Sequence, residues 1–232
     1  MCSSDLELLA NQPRLSLILP RGGQRGTEQK FRFQGERINE TQEVLFYDQG
    51  ISVVKIEPVD GNNVDITLNI APDCRLGEHV VQLRTLRGLS DFRSLYVGAL
   101  PQVDEVEPNT SLDAPQAIGN NVVVQGTVTN EDVDYFVIEA KAGERISVEV
   151  EAVRLGCPIG ILFDPFVAIL NAERFELAVC DDSALFKQDG FVSVVAPSDG
   201  NYTVMIREAS YGGNDACRYR LHIDRKSTRL NS

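Results

Sequence analysis

Glu105, Glu107 and Asn109 stand two residues apart in the segment Asp104-Glu105-Val106-Glu107-Pro108-Asn109. Asp132 and Asp134 repeat that spacing further along, in Glu131-Asp132-Val133-Asp134-Tyr135-Phe136. On an extended chain alternate side chains point to one side, so each set presents its oxygens together. Five oxygen donors of mixed charge suit a hard cation, and calcium takes about six to eight oxygens at roughly 2.3–2.6 Å. Alternate residues of a strand lie roughly 6.6 Å apart, which is wide for one ion unless the chain bends. Pro108 supplies a place to bend. A shared ion would clip the leading segment of the second half onto the first turn of its fold. The same residues also read as solvated acidic loops. A second acidic run, Cys180-Asp181-Asp182-Ser183 with Asp189-Gly190 after it, reads as a turn-rich loop between strands.

Other chemistry is scarce. There is no GxSxG, P-loop, GxGxxG or HExxH pattern. The two histidines, His79 and His222, fall on strands of different domains and are not expected to meet a serine or a cysteine. Cysteines at 2, 74, 157, 180 and 217 include no CxxC pair, which excludes zinc-ribbon and thioredoxin readings. Pairing among Cys74, Cys157, Cys180 and Cys217 stays open between one disulfide and buried free thiols. No nucleophile–base arrangement is visible, so the chain is expected to be no enzyme and to carry no catalytic residues.

These residues must be positioned by β-structure. The chain has 232 residues and a net charge of −12. Such acidity argues against nucleic-acid partners. Its longest apolar run, 155–170, is broken by Pro158, Asp164 and Pro165, so no transmembrane segment is expected. Residues 13–100 carry 11 basic and 11 acidic residues, whereas 101–223 carry 8 and 20. All the net acidity therefore lies in the second half, and the break near Leu100-Pro101 marks a domain boundary. Val64, Ile66, Leu68 and Ile70 alternate with Asn63, Asp65, Thr67 and Asn69, the period of a half-buried strand. Further strands are predicted at 14–19, 27–33, 43–47, 51–57, 78–85 and 94–97, with turns at Pro20-Arg21-Gly22-Gly23, Asp48-Gln49-Gly50 and Asp60-Gly61-Asn62-Asn63. The second half predicts strands at 122–128, 135–139, 145–153, 166–170, 176–179, 191–196, 201–208 and 217–223. The expected class is all-β, with two tandem β-sandwiches, immunoglobulin-like at 13–100 and jelly-roll-like at 101–223. Residues 1–12 read as a disordered leader without the basic and apolar regions of a signal peptide. Residues 224–232, DRKSTRLNS, resemble a translated sequencing-adapter read. The fold is therefore expected to end at Ile223, in a fragment of a longer chain.

The second half resembles the bacterial pre-peptidase C-terminal domain family. The matching motifs run in order from Glu105-Val106-Glu107-Pro108-Asn109 through Asp132-Val133-Asp134-Tyr135-Phe136 and Gly143-Glu144-Arg145-Ile146. Asp164-Pro165-Phe166-Val167-Ala168-Ile169-Leu170, Asp181-Asp182, the stretch from Ala196-Pro197-Ser198-Asp199-Gly200 to Asn201-Tyr202-Thr203-Val204, and Tyr219-Arg220-Leu221 follow. The resemblance implies an accessory domain of a secreted, periplasmic or cell-surface bacterial protein. Its partners would be the other domains of a longer parent chain. In collagen-binding members calcium bridges the acidic leader to the domain body, and by position the ligands here would be Glu105, Glu107, Asn109, Asp132 and Asp134. Thr110 departs from the acidic or amide residue found there in those members, and collagen binding is not carried over. The first half is similar to IPT/TIG-type immunoglobulin-like domains, on Pro20-Arg21-Gly22-Gly23-Gln24-Arg25-Gly26-Thr27 and Phe33-Gln34-Gly35. The functional expectation is a non-catalytic accessory segment, a spacer module followed by a calcium-stabilised β-sandwich. The alternative is a carbohydrate- or protein-ligand-binding module on a secreted hydrolase, with extracellular polysaccharide or protein as partner. The absence of Trp counts against sugar stacking.

Overall fold

The computed structural model describes residues 12–156 and 163–227. The leader up to residue 11, the tail beyond Ser227, Cys2 and Cys157 lie outside the described residues. The chain is all-β and divides into two compact units, Met1–Ala99 and Leu100–Ser232. Among the described residues no helix is long and apolar enough to cross a membrane.

The first unit contains β1 (Arg14–Leu19), β2 (Gly22–Gln24), β3 (Thr27–Glu36), β4 (Thr41–Phe46), β5 (Ile51–Pro58), β6 (Asn63–Ile70), β7 (Gly77–Thr85), β8 (Gly88–Leu89) and β9 (Arg93–Gly98). One sheet runs β1-β3-β6-β5 and the other β2-β9-β7-β4, with β8 paired to β7. Their inner faces close on one apolar core, in which Phe31 and Phe33 of β3 and Val64, Ile66 and Leu68 of β6 meet Val81 and Leu83 of β7. Fully burying each such side chain contributes roughly 1.5–3 kcal/mol. Asp65, on the opposite side of β6, accepts from the Arg32 guanidinium at 2.7 and 2.9 Å and lies 2.9 Å from Lys30 Nζ. The Arg32 hydrogen bonds hold its carboxyl at about 2, against the push of burial. Gly22 and Gly23, expected in a turn, instead belong to β2, which pairs in parallel with Tyr96 and Val97 of β9. A Cβ on Gly23 would crowd Ile70 and Phe31, so the missing side chain is what lets this strand lie against the core.

The second unit contains β10 (Gln102–Asp104), β11 (Gln116–Ala117), β12 (Val122–Thr127), β13 (Val133–Ala140), β14 (Glu144–Glu151), β15 (Pro165–Leu170), β16 (Glu176–Cys180), β17 (Phe191–Val195), β18 (Gly200–Glu208) and β19 (Arg218–Ser227). The strand expected to run to residue 153 stops at Glu151, and Val153–Leu155 form a 3-10 turn. Two five-stranded sheets, β10-β12-β19-β14-β17 and β11-β13-β18-β15-β16, enclose a core. It draws Val124 and Leu221, Ile146 and Val148, Phe136 and Ile138, and Val204 and Ile206 from five strands. β10 joins β12, and β11 joins β13, in parallel; the remaining pairs are antiparallel. The fold does not end at Ile223. Asp224 to Ser227 continue β19 opposite Ser147 to Glu144, because β14 extends that far and its backbone groups need partners. Arg225 adds an N–H bond to Asn121 Oδ1 at 2.7 Å and an ion pair to Glu144 at 3.0 Å.

Candidate metal centre

The inward row of β13 places Asp134 in line with Phe136, Ile138 and Ala140, so its carboxyl sits at the end of the core with 0% exposure. β19 brings its own inward row, Tyr219, Leu221 and Ile223, against it. The Tyr219 hydroxyl donates to Asp134 Oδ2 at 2.8 Å and lies 3.3 Å from Glu105 Oε2. Glu105 follows β10, and its N–H donates to the Gln125 carbonyl at 3.0 Å. Its Oε2 accepts the Thr127 N–H at 2.7 Å. Gly126 faces Tyr219 across the sheet, and a Cβ there would overlap both Glu105 Oε2 and the Tyr219 hydroxyl. The glycine thus makes the room in which the two groups meet.

Glu105, Glu107 and Asp134 each bring a carboxylate oxygen within 4.8 Å of the others. Asp132 and Asn109 stand beside this group. Asp132 Oδ2 accepts from the Thr129 N–H and hydroxyl, both at 3.1 Å. Asn109 donates its N–H to Glu107 Oε2 at 2.8 Å, and its carbonyl accepts the Tyr135 N–H at 3.1 Å. Its side-chain amide is buried with neither Oδ1 nor Nδ2 partnered, and Asp132 Oδ1 and Asp134 Oδ1 are in the same condition. The strand alternation expected to align Glu105, Glu107 and Asn109 does not assemble them. The chain bends at Glu107, and the three residues are half-buried, exposed and buried in turn. Tyr219, Gly126 and Thr127 escaped the sequence reading. The signal for Tyr219 was its hydroxyl, a polar tip within an otherwise apolar inward row.

Burial and crowding govern the electrostatics. Glu105 is pushed up to about 7, first by burial and then by the neighbouring charges of Glu107 and Asp132, against the Thr127 N–H bond. Asp134 is pushed up to about 8 by burial and by the charge of Glu105, with the Tyr219 hydroxyl working the other way. Burial raises the Tyr219 phenol well above its ordinary value. Among the described residues none of Glu105, Glu107, Asp132 or Asp134 forms an ion pair. Such a cluster reaches neutrality by holding protons or by holding a cation. Its all-oxygen donor set and its orphaned buried oxygens fit calcium. A cleft of about 400 Å³, lined by Glu105, Glu107, Gln125, Gly126, Thr127, Thr129, Asp215 and Arg218, opens beside it and leaves space for water ligands.

Other singled-out residues take structural places. His79 does meet a cysteine, contrary to expectation: Cys74 Sγ lies 3.7 Å from its Nε2, and Asp48 Oδ2 3.4 Å from its Nδ1. Cys74 follows β6 and His79 lies on β7. The imidazole is fully buried, its Nε2 faces the Arg75 carbonyl at 2.7 Å, and burial raises the Cys74 thiol. His222 bonds Glu151 at 2.8 Å. Cys74, Cys180 and Cys217 are free thiols. Asp181 and Asp182 are exposed, whereas Asp189 is buried and accepts from the N–H groups of Ala152, Val153 and Arg154.

No protein-family model matches the chain, and no curated protein matches its sequence. Several solved structures are similar at low identity. The Aeromonas hydrophila periplasmic inhibitor of g-type lysozyme, PliG, is 14% identical over 49% of this chain and 100% of its own, with a TM-score of 0.32. The Bacteroides ovatus SGBP-B of a mixed-linkage glucan utilization locus, solved with a mixed-linkage heptasaccharide, is 10% identical over 93% of this chain and 75% of its own, at 0.32. The secreted serine protease VesC of Vibrio cholerae is 13% identical over 99% of this chain and 54% of its own, at 0.33.

Proposed function

We propose that this chain is a non-catalytic accessory segment of an exported bacterial protein. In this reading the first unit is a spacer and the second a pre-peptidase C-terminal-like β-sandwich stabilised by calcium. The ion is held by Glu105, Glu107 and Asp134, with Asn109 and Asp132 completing the oxygen set. The observation that carries the reading is the convergence of three carboxylates, which form no ion pair among the described residues, beside the orphaned buried side-chain atoms of Asn109, Asp132 and Asp134. The test is a thermal melt of the full chain in EDTA and in graded calcium. At a hundred times Kd one site adds roughly 2.7 kcal/mol, a shift of several degrees for a domain of this size. A saturable shift that magnesium does not reproduce, and that the Glu107→Ala, Asp134→Ala double variant lacks, supports the reading. An equal shift in the double variant puts the ion elsewhere, and no shift makes the cluster a protonated acidic pocket.

The second reading, a carbohydrate- or protein-ligand-binding module, draws on an exposed aromatic pair in the first unit. Tyr47 and Phe92 are 59% and 57% exposed with ring centroids 5.7 Å apart. Retention on insoluble polysaccharide or an extracellular matrix protein, lost in Tyr47→Ala, would favour it over a pure spacer.

A further inference from the structure

The leader of the second unit does more than approach the acidic cluster. After Asn109 it leaves the cluster, crosses one face of a sheet and returns. Its base is fastened by Gln116, whose Nε2 donates to the Asp104 carbonyl at 3.0 Å and whose Oε1 accepts the Val106 N–H at 2.9 Å. A tight turn forms the tip, with the Ala114 N–H donating to the Ser111 carbonyl at 3.0 Å. The return limb is β11, paired in parallel with Phe136 and Val137 of β13. Both limbs therefore lie at β13, yet Asp113 at the tip is ion-paired with Arg174, in the connection between β15 and β16. In the sheet order β11-β13-β18-β15-β16 this requires the segment to pass over β18.

What it covers is apolar. Val167, Ile169, Val204 and Ile206 face the main core, so the alternate residues Ala168, Leu170 and Met205 face the other way. That outer face should be solvated, but Ala168, Leu170 and Met205 are 0%, 4% and 8% exposed. They form a second apolar cluster, against which Leu112 of the crossing segment packs with Tyr135 and Phe166. The tip is held by one half-buried leucine and by an ion pair whose side chains are 55% and 78% exposed, a kind of pair that contributes little. The stronger anchor is the base, where Glu105, Glu107 and Asn109 sit.

We propose that residues 109–115 are a strap over the outer face of this sheet, closed when a cation occupies the acidic cluster at its base and lifted when the cation leaves. The proposal rests on the cation reading given above. With the ion bound, Glu105, Glu107 and Asn109 are drawn towards Asp134, and the strap starts from a fixed point. Without it, the base loses the ion that joins its oxygens, the weak tip does not hold alone, and the face formed by Ala168, Leu170 and Met205 opens to solvent. Because coupling is reciprocal, a loosened strap must also weaken cation binding.

The experiment combines calorimetric titration with calcium, amide hydrogen exchange and binding of a hydrophobic dye, all on the full chain. The reporters are the Tyr135 N–H, whose acceptor is the Asn109 carbonyl, and the Ala114 N–H of the tip turn; the Val204 N–H of β18 is the control. Calcium should slow the two reporters by about tenfold or more relative to EDTA while leaving the control within about twofold, and dye emission should rise in EDTA well below the melting temperature. Leu112→Ser leaves every cation-site residue in place; it should speed the reporters with calcium present and weaken calcium binding about three- to tenfold. Asp113→Ala, which removes only the exposed pair, serves the same arm in smaller measure should Leu112→Ser fold poorly. Calcium heats with unchanged reporters and dye, or variants that bind calcium as tightly as the parent, overturn the strap while the cation reading stands. Absence of any calcium heat overturns both, and the melt in EDTA and calcium reports that failure separately.

Discussion

Lowering the pH from 7 to 6 should weaken calcium binding far more than an exposed acidic loop allows. Asp134 is pushed up to about 8 and Glu105 to about 7, chiefly by burial, so the cation-free cluster holds protons at neutral pH. At pH 7 the two groups carry about 0.9 and about 0.5 proton, and a cation that needs both ionised must displace about 1.4 of them. The apparent affinity should therefore fall about fifty-fold between pH 7 and 6, and about fifteen-fold between pH 8.5 and 7. The stability of the cation-free protein runs the opposite way. Both folded-state values lie above the unfolded ones, so the contribution of these groups is full below about pH 4 and is lost as the pH rises through about 7 to 8. The assay is calorimetric titration at pH 7 in buffers of different ionisation enthalpy, where the slope of heat against that enthalpy counts protons released. Repeating it at pH 6 and 8.5 gives the affinities. Release below about 0.3 proton, with affinities within about twofold between pH 6 and 7, would refute the buried-cluster argument, because carboxylates of ordinary acidity are already ionised across that range.

Three further perturbations test other parts of the second unit. Gly126→Ala should weaken calcium binding at least about tenfold and lower the melting temperature in calcium, since its Cβ overlaps Glu105 and the Tyr219 hydroxyl; an unchanged titration would show that the cradle is not needed. Burial pushes Glu151 up, but the His222 bond and the charges of Arg220 and Arg154 outweigh it and hold the carboxyl at about 2. Its contribution, at most about 3 kcal/mol, is present above pH 4.5 and lost as the pH falls towards 2, so Glu151→Gln should flatten that part of the acid-denaturation profile. Asp189→Ala removes the acceptor of three backbone N–H groups and of Arg154 Nε, so urea unfolding should show a loss of about 3–5 kcal/mol, and a loss under about 1 would mean water replaces it readily.

Much of the fold was legible because burial on one face imposes a period of two. β6 was readable residue by residue and β14 in its alternation though not in its end, since Val64, Ile66 and Leu68, and Ile146, Val148 and Val150, are each fully buried between polar neighbours. The change in charge near Leu100 was legible because composition is additive along the chain. β2, β10 and β11 were not, since segments of two or three residues carry no period, and a glycine pair reads as a turn until a neighbouring strand is known to lie beside it. The end of the fold was misplaced for a related reason: Asp224 to Ser227 have no pattern of their own, and only the length of β14 makes them a strand.

The acidic residues could be named from their types, because only side-chain oxygens of mixed charge suit a hard cation. Their meeting could not. Two-residue spacing orders side chains along a strand, whereas Glu105, Glu107 and Asp134 converge because the chain bends at Glu107 and because β10 lies beside β12 while β13 and β19 face each other from opposite sheets. The hydroxyl of Tyr219 and the empty side of Gly126 enter the site through that pairing alone. Residue chemistry is local and was present in the sequence by itself; distance between residues far apart in the chain, and the burial that raises their proton affinity, are properties of the packed sheets and were decided only there.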